Sequence, residues 1–371
     1  MKKRILIVAG ARPNFMKVAP LMCEFNKYTS CLEVLLVHTG QHYDFEMSEV
    51  FFQDLRIPKP DIHLNIGSAS HAVQTAKIMI AFERVALREK PNLVIVVGDV
   101  NSTLACALVS SKLNIEIAHI EAGLRSFDRT MPEEINRTVT DSLSDYLFVS
   151  ERSGLRNLKS EGIDANKVYF VGNIMIDTLS ANLPIINRSN ILNECELTNR
   201  EYCVMTLHRP SNVDSQETLC EIFDVLSSIS KKIQIVYPIH PRAKKMMKKH
   251  NFSNKFGKLD NLLVVDPLGY IDFIGLIKES KFVITDSGGI QEESTFLGIP
   301  CLTIRKNTER PVTVEKGTNY LVGRNKTNVL RCVKKILNGE SKQGSIPELW
   351  DGKTAERIIE VLAKEQRTGK S

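Results

Sequence analysis

The sequence predicts an α/β protein made of two doubly wound parallel-sheet domains that face a central cleft. Three observations lead there: short β-branched runs alternate with segments of helical length, the alternation loosens between about Met175 and Arg200 and then resumes, and 371 residues suffice for two hydrophobic cores. Strands alternating with helices imply a parallel sheet with helices on both faces. Such sheets bind ligands beyond the carboxyl ends of their strands, so facing domains would share a cleft. The expected boundaries are 1–174 for the first domain, 175–353 for the second, and 354–371 for a terminal helix packing back on the first.

In chain order, Ile5 to Ala9, Val34 to His38, Leu93 to Val97, Ile115 to Ile120, Tyr146 to Val149 and Val168 to Val171 read as buried strands. Phe15 to Lys27, His71 to Glu89, Ser102 to Lys112 and Pro132 to Leu143 read as the helices between them, and Met175 to Arg200 as a linker. The second sheet takes Tyr202 to Leu207, Ile233 to Tyr237, Leu262 to Val265, Phe282 to Thr285 and Cys301 to Ile304. Ser287-Gly288-Gly289 lets the backbone turn tightly into a helix carrying Glu292 and Glu293. First-turn amides of that helix would face an anion such as a phosphate, with Arg310 in reach of its oxygens and Glu293 of ribose hydroxyls.

Composition excludes several classes. The net charge of +6 is modest and no basic run is interleaved with aromatics, which argues against nucleic acid as a partner. The eight cysteines are scattered without zinc spacing, which fits a reducing cytoplasm and no metal centre. No apolar stretch approaches the roughly 20 residues of a membrane span, so no membrane is expected as a partner.

The informative polar residues fall at strand ends. Gly10-Ala-Arg-Pro13 follows the first strand but lacks the Gly-x-Gly-x-x-Gly dinucleotide fingerprint; Arg12 is its useful residue. Asp99 follows Leu93 to Val97, where a helix cap is the plainer role. Glu121 follows Ile115 to Ile120 before a glycine, a setting harder to read as structural. Glu133 and Glu134 open a helix behind Pro132, where they also suit the helix dipole. His208, beside Arg209, ends a strand where it could meet a pyrophosphate. His240 ends another, a position in which a lone histidine is more often structural.

Seven motifs then carry a family resemblance: Gly10-Ala-Arg-Pro13 with Lys17, Val97-Gly-Asp99, His119-Ile-Glu-Ala-Gly-Leu-Arg125, Pro132-Glu-Glu-Ile-Asn-Arg137, Leu207-His-Arg209, Asp286-Ser-Gly-Gly-Ile-Gln-Glu-Glu293 and Thr308-Glu-Arg-Pro311. In order and spacing, from Arg4 to about Gly323, they resemble the non-hydrolysing UDP-N-acetylglucosamine 2-epimerases. The resemblance implies two Rossmann-like domains in the GT-B arrangement, a homodimer, and reversible C2 epimerisation without a nicotinamide or any other cofactor. It implies that Asp99, Glu121 and Glu133 are the acid/base carboxylates, and that Arg12, His208, Ser287, Gly288 and Arg310 hold the diphosphate. Glu293 would bind ribose and the backbone near Phe273 uracil, with Lys17, Arg137, His240 and Gly289 completing the substrate-binding set and His208 also counted as catalytic. The sequence departs from bacterial members at Gln41-His-Tyr43, where they carry Gln-His-Arg at an activating second site, and at His71, near another expected arginine. The segments Ala11 to Met16 and Leu207 to Asn212 also resemble relatives acting on UDP-2,3-diacetamido-2,3-dideoxyglucuronic acid. A GT-B glycosyltransferase, a hydrolysing 2-epimerase, a catalytically silent nucleotide-sugar binding or regulatory protein and an NAD-dependent Rossmann enzyme are the remaining alternatives.

Overall fold

The computed structural model describes residues 2–41 and 58–365, the side chains of Arg12, Ser253 and Glu365 excepted. The chain divides into one unit of Met1–Ala181 with Glu348–Ser371 and another of Asn182–Pro347. In the first unit, the described strands are β1 (Lys3–Ala9), β2 (Leu32–His38), β3 (Ile62–His63), β4 (Leu93–Val97), β5 (Glu116–Ile120), β6 (Tyr146–Val149) and β7 (Val168–Phe170). They form a parallel sheet in the order β3-β2-β1-β4-β5-β6-β7. The long helices around it are α1 (Arg12–Phe25), α2 (His71–Glu89), α3 (Asn101–Lys112), α4 (Pro132–Leu143) and α5 (Arg152–Ser160); α6 (Ile174–Ile186) follows β7.

The second unit repeats the plan. Its strands β8 (Tyr202–Thr206), β9 (Gln234–Pro238), β10 (Leu262–Val265), β11 (Val283–Thr285), β12 (Cys301–Thr303) and β13 (Asn319–Leu321) lie parallel in the order β10-β9-β8-β11-β12-β13. Its longer helices are α7 (Gln216–Ile229), α8 (Pro241–Lys249), α9 (Tyr270–Lys278), α10 (Gly288–Leu297) and α11 (Lys326–Leu337), while α12 (Thr354–Glu365) returns to the first unit and packs on α1. Strand order reverses between β1 and β4 in one sheet and between β8 and β11 in the other. Loops leave in opposite directions there, which opens a ligand crevice in doubly wound sheets.

Each element follows from its side chains. β4 reads Leu-Val-Ile-Val-Val and is buried throughout, as a central parallel strand covered on both faces must be. α3 packs its small residues Ala105, Cys106 and Ala107 against the core formed by Leu6, Val8, Val94 and Val96. α4 is unusual because the face it buries is polar: Glu134, Arg137 and Asp141 recur at helical spacing and point inward. In the second unit, Met205, Leu207, Ile235 and Tyr237 meet Leu226, Val329 and Val333.

Some elements differ from the sequence reading. The expected linker contains α6, whose Ile174, Met175, Ile176 and Leu179 are all buried. A helix apolar nearly all round shows no 3.6-residue stripe, and Pro184 inside it reads as a breaker. β3 and β13 are edge strands of only two and three residues, too short for an alternation to register. Gly288 and Gly289, by contrast, open α10 behind Ser287 as its N-cap, at the helix start where the sequence puts them.

The C-terminal segment belongs to the first unit's core. Trp350 is buried with its indole N–H donating to the Ser150 carbonyl at 3.1 Å, and the Ala355 amide donates to Asp177 Oδ2 at 2.7 Å. Trp350→Ala removes that indole and should destabilise the first unit by about 3–5 kcal/mol. Urea unfolding followed by circular dichroism measures this, and a loss below about 1 kcal/mol would contradict the assignment of Trp350 to the core.

Candidate active site

At the β1/β4 reversal, Asn14 ties the two strand ends together. Its side-chain oxygen accepts the Gly10 and Ala11 amides at 3.1 and 2.9 Å, and its amide donates to the Val97 carbonyl at 2.9 Å. One turn later Lys17 is buried and ion-paired with Glu121 Oε2, and this pair lies against Gly98, whose φ is +68°. A Cβ on residue 98 would stand 3.2 Å from Lys17 Nζ and 3.5 Å from the Glu121 carboxylate. Glu121 itself sits at φ 73°, a left-handed conformation costing a non-glycine residue of order 1–3 kcal/mol. The residue is 4% exposed, and Oε1 accepts no hydrogen bond from the described residues.

Beside this pair, Asp99 Oδ2 meets Arg137 Nη1 at 2.5 Å. Asp99 is therefore held by α4 and does not cap α3, whose N-cap is Val100. Asn136 donates to the Asp99 carbonyl at 2.8 Å, fixing the backbone of the same residue. Arg137 also pairs with Glu134, which accepts from the Ser126 and Phe127 amides at 2.9 and 2.8 Å. Burial works to raise the Glu134 pKa, but Arg137 and the Ser126 amide outweigh it and hold the carboxyl below its ordinary range. Glu133 lies in the first turn of α4, half-buried. Arg12 opens α1 and its side chain lies outside what is described. His42 and Tyr43 are outside the described residues as well; His71 opens α2, exposed, 3.2 Å from Asn101.

At the β8/β11 reversal the organising residue is one the sequence reading left without a role. Asp286 is fully buried and takes the His208 and Arg209 amides at 3.1 and 2.9 Å, the Asn212 side chain at 3.0 Å and His208 Nδ1 at 2.9 Å. Burial opposes its charge, yet His208, Asn212 and the Arg209 amide prevail and bring its pKa down to about 2. His208 is thus aimed by Asp286 while its imidazole stays 37% exposed. His240 lies with its ring 5.6 Å from that of His208, and its Nδ1 accepts the Arg242 amide at 3.1 Å as the N-cap of α8.

Ser287 is the N-cap of α10, so the first-turn amides at Gly288 and Gly289 are available to an anion. Arg310 reaches the same place but is lodged between two carboxylates, Glu292 at 2.7 Å and Glu309 at 2.5 Å. A Cβ on residue 288 would come within 2.5 Å of Arg310 Nη1, so only glycine lets the guanidinium lie against the helix start. Glu309 also pairs with Arg305 at 2.7 Å and approaches Arg209 at 3.8 Å; burial pushes its pKa up, but Arg310 and Arg305 pull it far below the usual carboxylate range. Glu293, one position beyond Glu292, is buried, and burial together with the Glu293 charge pushes the pKa of the Tyr270 phenol up. Tyr270 opens α9, and Phe273 lies half-buried one turn along the same helix.

The structure thus brings Lys17, Asp99, Glu121 and Arg137 together in one unit and His208, His240, Ser287, Gly288 and Arg310 in the other. Sequence reasoning gave no role to the partners His119, Asp141, Asp286 and Glu309, and read Glu134 only as a helix-start residue. The available signal was position: Asp286 begins a quoted motif at a strand end, and Asp141 lies two turns past Glu134 on the polar face of α4.

Fold and site define an enzyme of the two-unit parallel α/β class, with its titratable groups gathered at the two strand-order reversals. The chain belongs to the UDP-N-acetylglucosamine 2-epimerase family, whose model matches residues 26–363. A UDP-N-acetylglucosamine 2-epimerase homolog from Methanococcus maripaludis is 44% identical over 97% of this chain and 99% of its own. A UDP-2,3-diacetamido-2,3-dideoxy-D-glucuronate 2-epimerase from Pseudomonas aeruginosa is 40% identical over 97% of this chain and 99% of its own. The crystal structure of the Methanocaldococcus jannaschii UDP-GlcNAc 2-epimerase in complex with UDP-GlcNAc and UDP matches with a TM-score of 0.91 at 42% identity, covering 97% of this chain and 99% of that one. Among the described residues no helix is long and apolar enough to cross a membrane.

The depressed pKa of Asp286 has a stability consequence. A carboxyl lowered from 3.8 to about 2 contributes stability that is present above its unfolded pKa and lost as pH falls through the folded one. The contribution is about 2 kcal/mol. Asp286→Asn should therefore be less stable at neutral pH, with a shallower loss between about pH 5 and pH 2 than the parent. Guanidinium unfolding across that range checks it, and parallel profiles would contradict it.

Proposed function

We propose that this chain interconverts UDP-N-acetylglucosamine and UDP-N-acetylmannosamine by eliminating UDP and adding it back. The proton on C2 of the sugar adjoins no carbonyl within the ring, so it is weakly acidic until the C1–O bond to the diphosphate begins to break. The diphosphate oxygen takes that electron pair and C1 gains oxocarbenium character. A carboxylate then removes the C2 proton as the C1=C2 bond of a 2-acetamidoglucal forms. Return of a proton to the opposite face of C2, with attack of the diphosphate oxygen on C1, completes the inversion.

The residues are assigned accordingly. Arg310, His208 and the amides that follow Ser287 stabilise the leaving diphosphate, Glu293 takes the ribose, and Glu121 and Asp99 carry the proton transfers, with Glu133 as a further carboxylate. The observation that carries the reading is Glu121: buried, charge-paired with Lys17 through one oxygen, and held in a left-handed turn. Left-handed backbone recurs at exposed turns such as Lys90 and Glu196, but among the described non-glycine residues that adopt it Glu121 alone is buried, and strain inside a charged cluster gathers at functional sites. The enzyme acts as a cytoplasmic homodimer, a reading supported by the family resemblance alone, and would supply a nucleotide sugar for cell-surface polysaccharide.

A second reading is favoured by the 40% identity to the Pseudomonas aeruginosa diacetamido-glucuronate epimerase: the same chemistry on a UDP-sugar with other C3 and C6 groups. Incubating the purified protein with each UDP-sugar in turn and identifying the product by NMR decides between them. Formation of UDP-N-acetylmannosamine from UDP-N-acetylglucosamine is expected, and release of free N-acetylmannosamine would point to a hydrolysing enzyme. Glu121→Gln should lower turnover about a hundredfold or more, the scale of general acid/base catalysis. Near-normal turnover in that variant would show Glu121 to be structural.

A further inference from the structure

The turn Glu121-Ala122-Gly123 is fastened from two sides by one residue with no role in the chemistry above. Asp141, on α4 and 1% exposed, accepts the Gly123 amide through Oδ2 at 3.0 Å, and its Oδ1 lies 2.6 Å from His119 Nδ1. Across the ring, His119 Nε2 donates at 2.9 Å to the Gly98 carbonyl, an oxygen that can only accept. One carboxylate therefore secures His119 on the strand side of Glu121 and Gly123 on its far side, and through His119 it reaches the Gly98 turn that leads into Asp99.

Arg125 reaches the same carboxylate at 2.7 Å and is itself held by Glu161 at 2.6 Å, so Asp141 is fixed in turn. Burial raises the Asp141 pKa, but His119 and Arg125 prevail and keep it below the ordinary range. The amides of Glu121 and Ala122 both donate to the Phe148 carbonyl, at 3.1 and 3.0 Å. Glu121 is the one buried residue among the described non-glycine residues with left-handed backbone, and these contacts hold it there.

We propose that Asp141, acting through His119 and the Gly123 amide, is a positioning residue that holds Glu121 in its left-handed conformation and so sets its carboxylate for proton transfer. The proposal rests on the reading of Glu121 as a proton-transfer group. Asp141 touches no reacting atom; its effect passes through the backbone on both sides of Glu121.

Asp141→Asn keeps the size of the side chain and removes its charge and one acceptor. Amide hydrogen exchange over 121–123 should quicken about tenfold or more while β4 amides stay protected, as a local opening would give. Turnover should fall about tenfold or more with KM nearly unchanged, and the same substitution should add almost nothing in a Glu121→Gln background, because the two act as one unit. Losses that simply add, or exchange over 121–123 that does not change, would overturn the proposal. Should Asp141→Asn fail to fold, His119→Gln enters the same cycle with the same expectation. Full turnover in Glu121→Gln alone would instead overturn the proton-transfer reading, and the exchange measurement would still decide whether Asp141 holds the turn.

Discussion

A carboxylate buried among the ends of parallel strands has to be paired, and this constraint shapes both units. An unpaired buried charge costs several kcal/mol, so each acid there recruits a partner from another part of the chain. Glu121 takes Lys17 from α1, the half-buried Asp99 meets the buried Arg137 of α4, and Asp141 takes His119 from β5 with Arg125 from the loop beyond it. Asp286 is met by His208, Arg209 and Asn212. These pairings explain why α4 turns a charged face inward and why the loops at the two reversals are fixed in place.

In the second unit the same constraint sets the charge offered to a ligand. Three guanidinium groups, Arg209, Arg305 and Arg310, surround Glu309, Glu292 meets Arg310, and the charged Asp286 takes the Arg209 amide, so the arginines are compensated by buried carboxylates. With the arginines so compensated, the first-turn amides of α10 supply hydrogen bonds suited to a diphosphate that must depart and return. On the proposed reading, a fully uncompensated arginine cluster would hold the diphosphate too tightly for reversible transfer. Gly288 belongs to this arrangement because a side chain there would displace Arg310.

Much of the fold was legible because central parallel strands are short, β-branched and buried on both faces, as in Leu93 to Val97. What escaped had no periodic signal: α6 is apolar nearly all round, and the edge strands β3 and β13 are too short to alternate. Candidate residues were legible by position, since Asp99, Glu121 and His208 each follow a strand. Their supports were not, because they join distant parts of the chain: His208 to Asp286, Asp99 to Arg137, Lys17 to Glu121. Arg310 was expected to face phosphate, and its enclosure by Glu292 and Glu309 depends on side-chain packing that no spacing reveals.

The central claim is that C2 is inverted by losing and regaining a proton, with strand-end carboxylates as the carriers. Epimerisation in deuterium oxide, followed by mass spectrometry and proton NMR of the product, tests it most directly. The account predicts one solvent deuterium at C2 of the epimerised sugar. A product that keeps only its original hydrogen at C2 would contradict it.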